Sequence, residues 1–315
     1  MFNAKRFIDE TIEKLRDEID GKALIAFSGG VDSTVCAALV NKAIGDDLIA
    51  VHVDTGYMRK NESENVRKTM YEMGLNHRFI DAHKEFYAAL RYVHDPEMKR
   101  RIIGEKFIRI FEEVAEEEDA SYLVQGTIAP DWIESGGGLR DTIKSHHNVG
   151  GLPKDIRLRI IEPLRDLYKD EVRKLAKELK LSVNERQPFP GPGLAIRIIG
   201  EATEEKVEII REACFIVEDE IDKAVVNGEM SKPWQYFAVL LPVQSVGVHG
   251  DRRVYGYTVA VRAVDSIDAM TCNYTHIPHS VLERISTRIT NTLKDKVNRV
   301  VYDVTNKPPG TVEWE

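Results

Sequence analysis

A short stretch near the N-terminus has the composition of a phosphate-binding loop. Glycines let the backbone bend so that its N–H groups approach an anion, and hydroxyl groups add donors beside the positive end of a helix dipole. The stretch joins an apolar segment over 22–27 to a predicted helix over 31–44. It lacks the final Gly-Lys-Ser/Thr of a Walker loop. We therefore predict a different kind of phosphate site, with a plain glycine-serine turn as the alternative. Its residues are Ser28, Gly29, Gly30, Val31, Asp32, Ser33 and Thr34.

Strand-like and helix-like segments alternate on both sides of this loop. Such alternation is typical of a parallel sheet with helices on both faces. Ligands of these sheets bind at the carboxyl ends of the strands, which is where Ser28, Asp54 and Gly126 fall. We expect the three loops to form one pocket. The predicted strands cover 22–27, 48–53, 77–80, 122–125 and 159–163, and the predicted helices cover 31–44, 61–73, 83–93, 96–118 and 169–179.

The alternation breaks at a long polar segment over about 127–155, which has glycines at both ends. Inserts of this kind close over active sites as lids. The segment contains Lys144, His146 and His147, which we expect to stabilise phosphoryl charge in a transition state. There are two alternatives to this interpretation: the histidines could bind a metal, or the segment could be an exposed loop without a functional role. The same segment holds two candidates for Mg²⁺ binding or for closure, Asp131 and Glu134.

A stretch rich in proline and glycine, 186–193, marks a domain boundary because it forbids regular structure. We place one domain over 1–187 and a second over 188–315. The second is predicted to be a smaller α+β layer. Its apolar run 237–248 suits an edge strand that pairs with a second copy of the chain, so we expect a homodimer through this domain, with a plain scaffold as the alternative. The predicted helices cover 203–226 and 280–297, and the strands 236–243, 255–263 and 299–304.

The composition argues against several classes of protein. A formal net charge of -8 over 315 residues disfavours a nucleic-acid-binding protein that neutralises many phosphates. The cysteines Cys36, Cys214 and Cys272 lie far apart without a CxxC pair, so we expect packing roles and neither disulfides nor zinc. We find no signal peptide and no run that would span a membrane, and we expect a cytoplasmic protein.

The phosphate loop resembles that of the N-type ATP pyrophosphatases, which split ATP into AMP and pyrophosphate on an adenine-nucleotide α-hydrolase-like fold. Further motifs narrow the resemblance to the GMP synthetase family, and the similarity covers essentially the whole chain. It implies a ligase that forms a C–N bond: XMP is adenylated by Mg-ATP, and ammonia then attacks to give GMP, AMP and pyrophosphate. The motifs lie at 144–153, 187–197, 242–247, 250–253 and 307–315.

The resemblance also implies roles for single residues. The loop would hold the β- and γ-phosphates of ATP, with Asp32 near the Mg²⁺ that neutralises them. The backbone at Val53 would contact adenine. Lys144, His146 and His147 would be catalytic together with Asp32. XMP would be bound by cationic side chains that contact the 5′-phosphate and by carboxylates that accept hydrogen bonds from the ribose or the base. These four residues are Arg59, Asp251, Lys307 and Glu313.

The chain departs from complete glutamine-dependent enzymes of this family because it lacks a recognisable glutaminase domain. No cysteine has the glycine-flanked setting of a glutaminase nucleophile, and the phosphate loop begins at Ser28. We therefore expect a synthetase subunit that receives ammonia from a separate glutaminase subunit. Two alternatives remain. A tRNA-modifying ATP pyrophosphatase would need a basic face, and a non-enzymatic ATP-binding module would not need a lid with Lys and His.

Overall fold

The structure is a computed structural model that describes residues 2–129, 158–181, 187–266 and 270–315, except for the side chain of residue 249. The chain divides into two compact units, and each unit contains more than one segment. The domain boundary between residues 187 and 188 stays a prediction, but two earlier segments group with the C-terminal part of the chain. The first unit comprises Met1–Val53, Ser63–Asp81 and Glu105–Arg186, and the second Asp54–Glu62, Ala82–Gly104 and Gln187–Glu315.

The first unit is built on a five-stranded sheet. Its strands are β1 (Lys22–Ala26), β2 (Leu48–Asp54), β3 (Asn76–Asp81), β4 (Ala120–Val124) and β5 (Arg159–Ile161). Their order in the sheet is β3-β2-β1-β4-β5. β1 is parallel to both of its neighbours, and β4 is parallel to β5, as the alternation of strands and helices predicts. β2 is buried at every residue but the last, which explains why its sequence is apolar apart from His52 and Asp54.

The described residues before 187 include six helices: α1 (Ala4–Glu18), α2 (Val31–Ile44), α3 (Glu62–Glu72), α4 (His83–Ala89), α5 (Pro96–Glu118) and α6 (Lys169–Glu178). α1 begins after Asn3, whose side-chain oxygen accepts from the N–H of Arg6 and satisfies a free donor of the first turn. α2 is mostly apolar, and its buried side chains share one hydrophobic core with Ile25 of β1 and Leu175 of α6. This core fixes the start of α2 against the end of β1.

The second unit combines two further helices, α7 (Glu204–Val226) and α8 (His279–Thr292), with four strands: β6 (Gln235–His249), β7 (Arg252–Asp265), β8 (Asn273–Tyr274) and β9 (Val297–Tyr302). β7 is antiparallel to β6 and β8 and parallel to β9. α7 begins after Thr203, whose side chain accepts from the N–H of Lys206. Buried side chains of α7 such as Ile210 pack against β6. This mixed layer confirms the predicted α+β class.

The hairpin of the second unit is longer than predicted. The strands expected over 236–243 and 255–263 extend to Gln235–His249 and Arg252–Asp265. The register shifts between Leu241 and Gln244, after which the pairing continues to the turn. A bulge accommodates this shift without ending the strand pairing. The residues from Gln244 to His249 therefore still belong to β6.

Two helices end earlier than predicted, since each is followed by a residue with left-handed backbone. The helix expected over 83–93 ends at Ala89, and Tyr92 has a φ of 63°. The helix expected over 280–297 ends at Thr292, and Asp295 has a φ of 65°. The last strand accordingly begins at Val297 rather than at 299. Among all helices of the described ranges, none has an apolar stretch long enough to cross a membrane.

Candidate active site

The loop between β1 and α2 is shaped by its two glycines. Gly29 has a φ of +72°, which L-residues rarely adopt, and a Cβ there would lie 2.9 Å from Cγ2 of Val66. Gly30 is the N-cap of α2, and its N–H donates to Oγ of Ser28 over 3.3 Å. A side chain at Gly29 would therefore displace either the loop or α3.

Hydroxyl groups connect the two ends of this loop. Oγ of Ser28 and Oγ of Ser33 lie 3.0 Å apart. Ser33 also donates to the carbonyl oxygen of Gly30 over 3.1 Å. These bonds hold the loop in one shape, so a ligand that binds there has less conformational entropy to overcome.

The first turn of α2 carries polar groups that have no hydrogen-bond partner among the described residues. α2 has no side-chain N-cap bond, which leaves N–H groups of its first turn for another acceptor. In the described ranges of the chain, Oδ1 of Asp32 and Oγ1 of Thr34 are buried without a hydrogen-bond partner. Such atoms are costly to leave unpaired. Their position at a helix N-terminus points to an anionic ligand, and the free carboxylate oxygen points to a cation that accompanies it.

The loop lies at the point where the winding of the sheet reverses. Because the strand order is β3-β2-β1-β4-β5, the reversal falls between β1 and β4, where open α/β sheets bind ligands. Gly126 follows β4, and a Cβ there would lie 3.2 Å from the backbone nitrogen of Ser33. The structure thus brings together two of the three predicted loops. The third, at Asp54, groups with the second unit.

Asp32 makes one ion pair and has one unpaired oxygen. Its Oδ2 accepts from Nζ of Lys169, the first residue of α6, over 2.7 Å. Lys169 is missing from the predicted site because a lysine on an amphipathic helix is most simply a solvated residue. Carboxylate oxygens are the ligands that Mg²⁺ prefers, so the unpaired Oδ1 fits the metal role predicted for Asp32. No group of three or more His, Cys, Asp or Glu residues that could hold a metal occurs among the residues that the structure describes.

The carboxyl end of β2 carries Val53, the predicted adenine contact, which is buried. Its neighbour His52 is also buried. Nδ1 of His52 lies 3.0 Å from the carbonyl oxygen of Phe27, and Nε2 lies 3.1 Å from Oγ of Ser63. His52 thus holds the residue that precedes the phosphate loop. A polar residue inside an apolar strand is the sequence signal that identifies it, while the adenine contact itself stays a prediction.

The predicted lid lies outside the described residues from residue 130 onward. The catalytic roles of its lysine and histidine side chains therefore stay predictions. The same holds for the expected contribution of its two carboxylates to Mg²⁺ binding or closure. The residues concerned are Lys144, His146, His147, Asp131 and Glu134.

The cysteines are buried and free. Sγ of Cys36 lies 3.6 Å from the carbonyl oxygen of Gln125. Burial, and to a lesser extent the charge of Asp32, raises the pKa of the Cys36 thiol. A thiol with a raised pKa is a poor nucleophile, so Cys36 suits the packing role expected from the sequence and not the thiol chemistry of a tRNA-thiolating enzyme.

Arg59 lies against the proline-rich linker within the second unit. Its Nη2 donates to the carbonyl oxygens of Gln187 and Pro188 over 3.0 and 3.1 Å. Its guanidinium carbon lies 4.3 Å from the ring centroid of Phe189. Nε is buried and has no hydrogen-bond partner among the described residues. The guanidinium is thus held at one edge with a donor left for an anion.

Glu313 joins the same region through a buried arginine. Its carboxylate accepts two bonds from Arg197, of 2.9 and 3.1 Å, and Arg197 is fully buried. Nε2 of Gln235 donates to Oε1 of Glu313 over 2.9 Å and to the carbonyl oxygen of Pro188 over 3.3 Å. Because Arg59 donates to the same carbonyl, the structure brings two of the predicted XMP-binding residues into one network.

The other two predicted XMP-binding residues lie elsewhere in the second unit. Lys307 exchanges backbone hydrogen bonds with Cys272 over 2.8 and 3.1 Å. Asp251 lies in the exposed turn between β6 and β7. Within the described residues, no hydrogen bond or ion pair connects Asp251 to Arg59 or Glu313. The roles of Lys307 and Asp251 in binding XMP stay predictions.

Four polar residues of the network are absent from the predicted site. Nε2 of Gln187 donates to Oε1 of Glu218, which lies on α7. Arg197 follows the apolar run Leu194-Ala195-Ile196, and Gln235 begins the buried portion of β6. A polar residue in apolar surroundings is the signal that could identify Arg197 and Gln235, but it does not reveal which groups they contact. Glu218 lacks this signal, because Asp219 and Glu220 follow it. The four residues are Gln187, Arg197, Glu218 and Gln235.

Two protein-family models match the chain. Residues 22–178 match the argininosuccinate synthase N-terminal HUP domain. Residues 219–314 match the GMP synthase C-terminal domain. The first match includes the phosphate loop, and the second includes the hairpin of β6 and β7 and the tail that carries Glu313.

Several curated proteins align with this chain from end to end, and each is the B subunit of a GMP synthase (glutamine-hydrolyzing). The protein from Methanopyrus kandleri is 58% identical, and the alignment covers 100% of both chains. That from Thermoplasma acidophilum is 56% identical over 98% of each chain. That from Pyrococcus furiosus is 58% identical over 99% of this chain and 97% of its own. With its phosphate loop at the switch point of a parallel sheet, the chain therefore belongs to the family of GMP synthase (glutamine-hydrolyzing) B subunits.

Proposed function

We propose that this chain, in making GMP from XMP, ATP and ammonia, binds the pyrophosphate group of ATP in the loop between β1 and α2. As a GMP synthase it is a ligase that forms a C–N bond and uses ATP as co-substrate. The site assignment rests on two buried atoms that have no hydrogen-bond partner among the described residues, Oδ1 of Asp32 and Oγ1 of Thr34. Phosphate oxygens supply the acceptors that the Thr34 hydroxyl and the N–H groups of α2 lack.

Asp32 would hold Mg²⁺ together with oxygens of the bound phosphates. The ion neutralises the negative charge that accumulates on the departing pyrophosphate. Lys169 contributes by holding the other carboxylate oxygen at 2.7 Å. In the proposed reaction the carbonyl oxygen of XMP attacks the α-phosphorus and the bond to pyrophosphate breaks. Ammonia then attacks the adenylated carbon, and AMP leaves with the bonding electron pair.

Arg59 and Glu313 are proposed to bind XMP. Nε of Arg59 lies 3.9 Å from Oε1 of Glu218 and makes no hydrogen bond within the described residues. It suits the 5′-phosphate, because a guanidinium with a free donor recognises phosphate oxygens well. Oε1 of Glu313 accepts from both Arg197 and Gln235, whereas Oε2, in the described part of the chain, accepts only from Nε of Arg197 and has room for another donor. Lys307 and Asp251 remain proposed members of the same site.

We also propose a separate glutaminase subunit as the source of ammonia, a homodimer, and a cytoplasmic location. The relatives are named glutamine-hydrolyzing and are designated B subunits, which supports a partner of that kind. For the homodimer, the support is a set of exposed apolar side chains on β6 and β7, which a second copy could cover. They are Val243, Val246, Val248 and Tyr255.

Turnover of the chain by itself tests the proposed function. With Mg-ATP, XMP and a high concentration of ammonium salt, we expect loss of XMP and formation of GMP, AMP and pyrophosphate. Glutamine in place of ammonium should give no GMP. Cleavage of ATP that requires a different acceptor, such as tRNA, would leave the phosphate loop in place and overturn the assignment of the substrate.

Lys144→Ala is expected to lower kcat about a hundredfold while the KM for ATP stays close to that of the parent chain. The reason is that a lid lysine would act on the charge of the transition state more than on bound ATP. Steady-state kinetics with varied ATP measure both constants. Lys174→Ala is the control, because this lysine of α6 is exposed and pairs with Asp170. An unchanged kcat for Lys144→Ala would contradict the lid assignment.

A further inference from the structure

Glu218 of α7 places a carboxylate inside the network around Arg59. Its Oε1 accepts from Nε2 of Gln187 over 2.9 Å and lies 3.9 Å from Nε of Arg59. Burial raises the pKa of the Glu218 carboxyl, although the charges of Arg59 and Arg197 act in the opposite direction. A carboxylate removed from water costs free energy unless its contacts offset the loss. Its contacts therefore indicate what Glu218 does.

Gln187 connects Glu218 to Arg59. The amide of Gln187 is bonded at both ends, since Nε2 donates to Glu218 and Oε1 accepts from the N–H of Tyr236 over 2.7 Å. An amide held by an acceptor on one side and a donor on the other has a single orientation. The backbone carbonyl of the same residue accepts from Nη2 of Arg59 over 3.0 Å. Glu218 thus fixes the side chain of Gln187, and the backbone carbonyl of the same residue holds the guanidinium of Arg59.

We propose that Glu218 is a positioning residue for XMP, which fixes Gln187 and thereby directs the guanidinium of Arg59 toward the 5′-phosphate. This inference rests on the proposed XMP site at Arg59 and Glu313. The distance of 3.9 Å between Glu218 and Nε of Arg59 is too long for a hydrogen bond. Glu218 therefore acts through the acceptor oxygen that it offers to Gln187.

Glu218→Ala is expected to raise the KM for XMP about tenfold, the effect of losing one hydrogen bond to a charged group. The kcat at saturating XMP and the KM for ATP should not change. Glu218→Gln keeps an acceptor oxygen in the same place and should bring the KM for XMP back to within about twofold of the parent value. A merely structural role would lower the active fraction, and hence kcat, without this recovery in KM.

Thermal unfolding gives a second readout for the glutamine variant. Because the pKa of Glu218 is raised, protonation stabilises the fold below the ordinary carboxyl pKa of 4.5, and this contribution is lost as the pH rises through the raised pKa. Glutamine resembles the protonated carboxyl at every pH. We therefore expect Glu218→Gln to have a Tm at neutral pH no lower than that of the parent chain.

Glu220 provides the matched control. It lies two residues further along α7, is buried, and pairs with Arg288 of α8 at 2.7 Å and with Arg284 at 3.4 Å. Glu220→Ala should leave the KM for XMP unchanged even where it lowers the Tm. A rise in KM as large as that of Glu218→Ala would show that loss of a buried carboxylate is sufficient, and would overturn the positioning role.

The double variant with Arg59→Ala separates the inference from the proposed function. If Glu218 acts through Arg59, adding Glu218→Ala to Arg59→Ala should raise the KM for XMP no further. Independent, multiplicative effects would overturn the positioning role. If Arg59→Ala raises the KM but Glu218→Ala does not, the XMP site stands and the inference falls. If Arg59→Ala has no effect, the XMP site itself is overturned, and the inference with it.

Discussion

Asp32→Ala is expected to lower the rate of XMP-dependent pyrophosphate release about a thousandfold, which is the upper end of the range found when a group that stabilises transition-state charge is lost. The substitution removes the unpaired Oδ1 that suits Mg²⁺. It also frees Lys169, but this lysine is half exposed, so little stability should be lost with the ion pair. Measurement of pyrophosphate during turnover, with a melting curve for each variant, distinguishes lost chemistry from lost folding.

Asp170→Ala is the control for this prediction. Asp170 lies in the first turn of α6 as Asp32 lies in the first turn of α2, but it is exposed and pairs with Lys174 at 3.1 Å. The control variant should release pyrophosphate at the parent rate. Parent-like release by Asp32→Ala would remove the phosphate loop from the mechanism.

Deletion of residues 307–315 is expected to abolish XMP-dependent turnover. The segment contains Glu313, whose carboxylate is bonded to Arg197 and Gln235 in the network that includes Arg59. Loss of one member of a hydrogen-bonded charge network leaves its partners misplaced as well as unpaired. The affinity for XMP, measured by calorimetry, should therefore fall together with turnover.

The same deletion should also lower the free energy of unfolding, because buried cations depend on the tail. Lys99 is fully buried and forms an ion pair with Glu315. Burial lowers the pKa of Lys99, and Glu315 acts against this effect. Arg262, also fully buried, donates to the carbonyl oxygen of Thr311 over 2.8 Å. Leaving a buried charge without its partner costs roughly 3–5 kcal/mol, which denaturant unfolding would detect.

Glu313→Gln isolates one contact of the deleted tail. Glutamine keeps the volume and one acceptor oxygen but leaves the buried Arg197 without its carboxylate, so we expect a raised KM for XMP together with a lower Tm. Glu283→Gln on α8 is the control, since Glu283 is exposed. A truncated chain that is folded and binds XMP with unchanged affinity would exclude the tail from the site.

The shape of the loop between β1 and α2 could be predicted from the sequence because its determinants are local. The positive φ of Gly29 and the hydrogen bonds among Ser28, Gly30 and Ser33 join residues at most five positions apart. The alternation of apolar strands and helices is likewise visible in consecutive residues, and it predicts both the parallel sheet and the ends of the strands where ligands bind.

The partners of the charged residues could not be predicted in this way. Lys169 is 137 positions from Asp32, and Gln235 is 78 positions from Glu313. A charged or amide side chain has the same local sequence pattern whether it faces water or a carboxylate. Its neighbours in the chain carry no information about which distant segment will contact it in the fold. The same holds for the segment Asp54–Glu62, which follows β2 but groups with the second unit.

The sequence by itself thus determined the class of the fold, the glycine-serine loop between β1 and α2 and, through its motifs, the family. Only the tertiary structure decided that Arg59 and Glu313 share one network, that Lys169 meets Asp32, and that Glu218 is bonded to Gln187. Backbone geometry and periodicity follow from interactions between near neighbours, whereas the pairing of buried polar groups depends on where distant segments come together when the core forms.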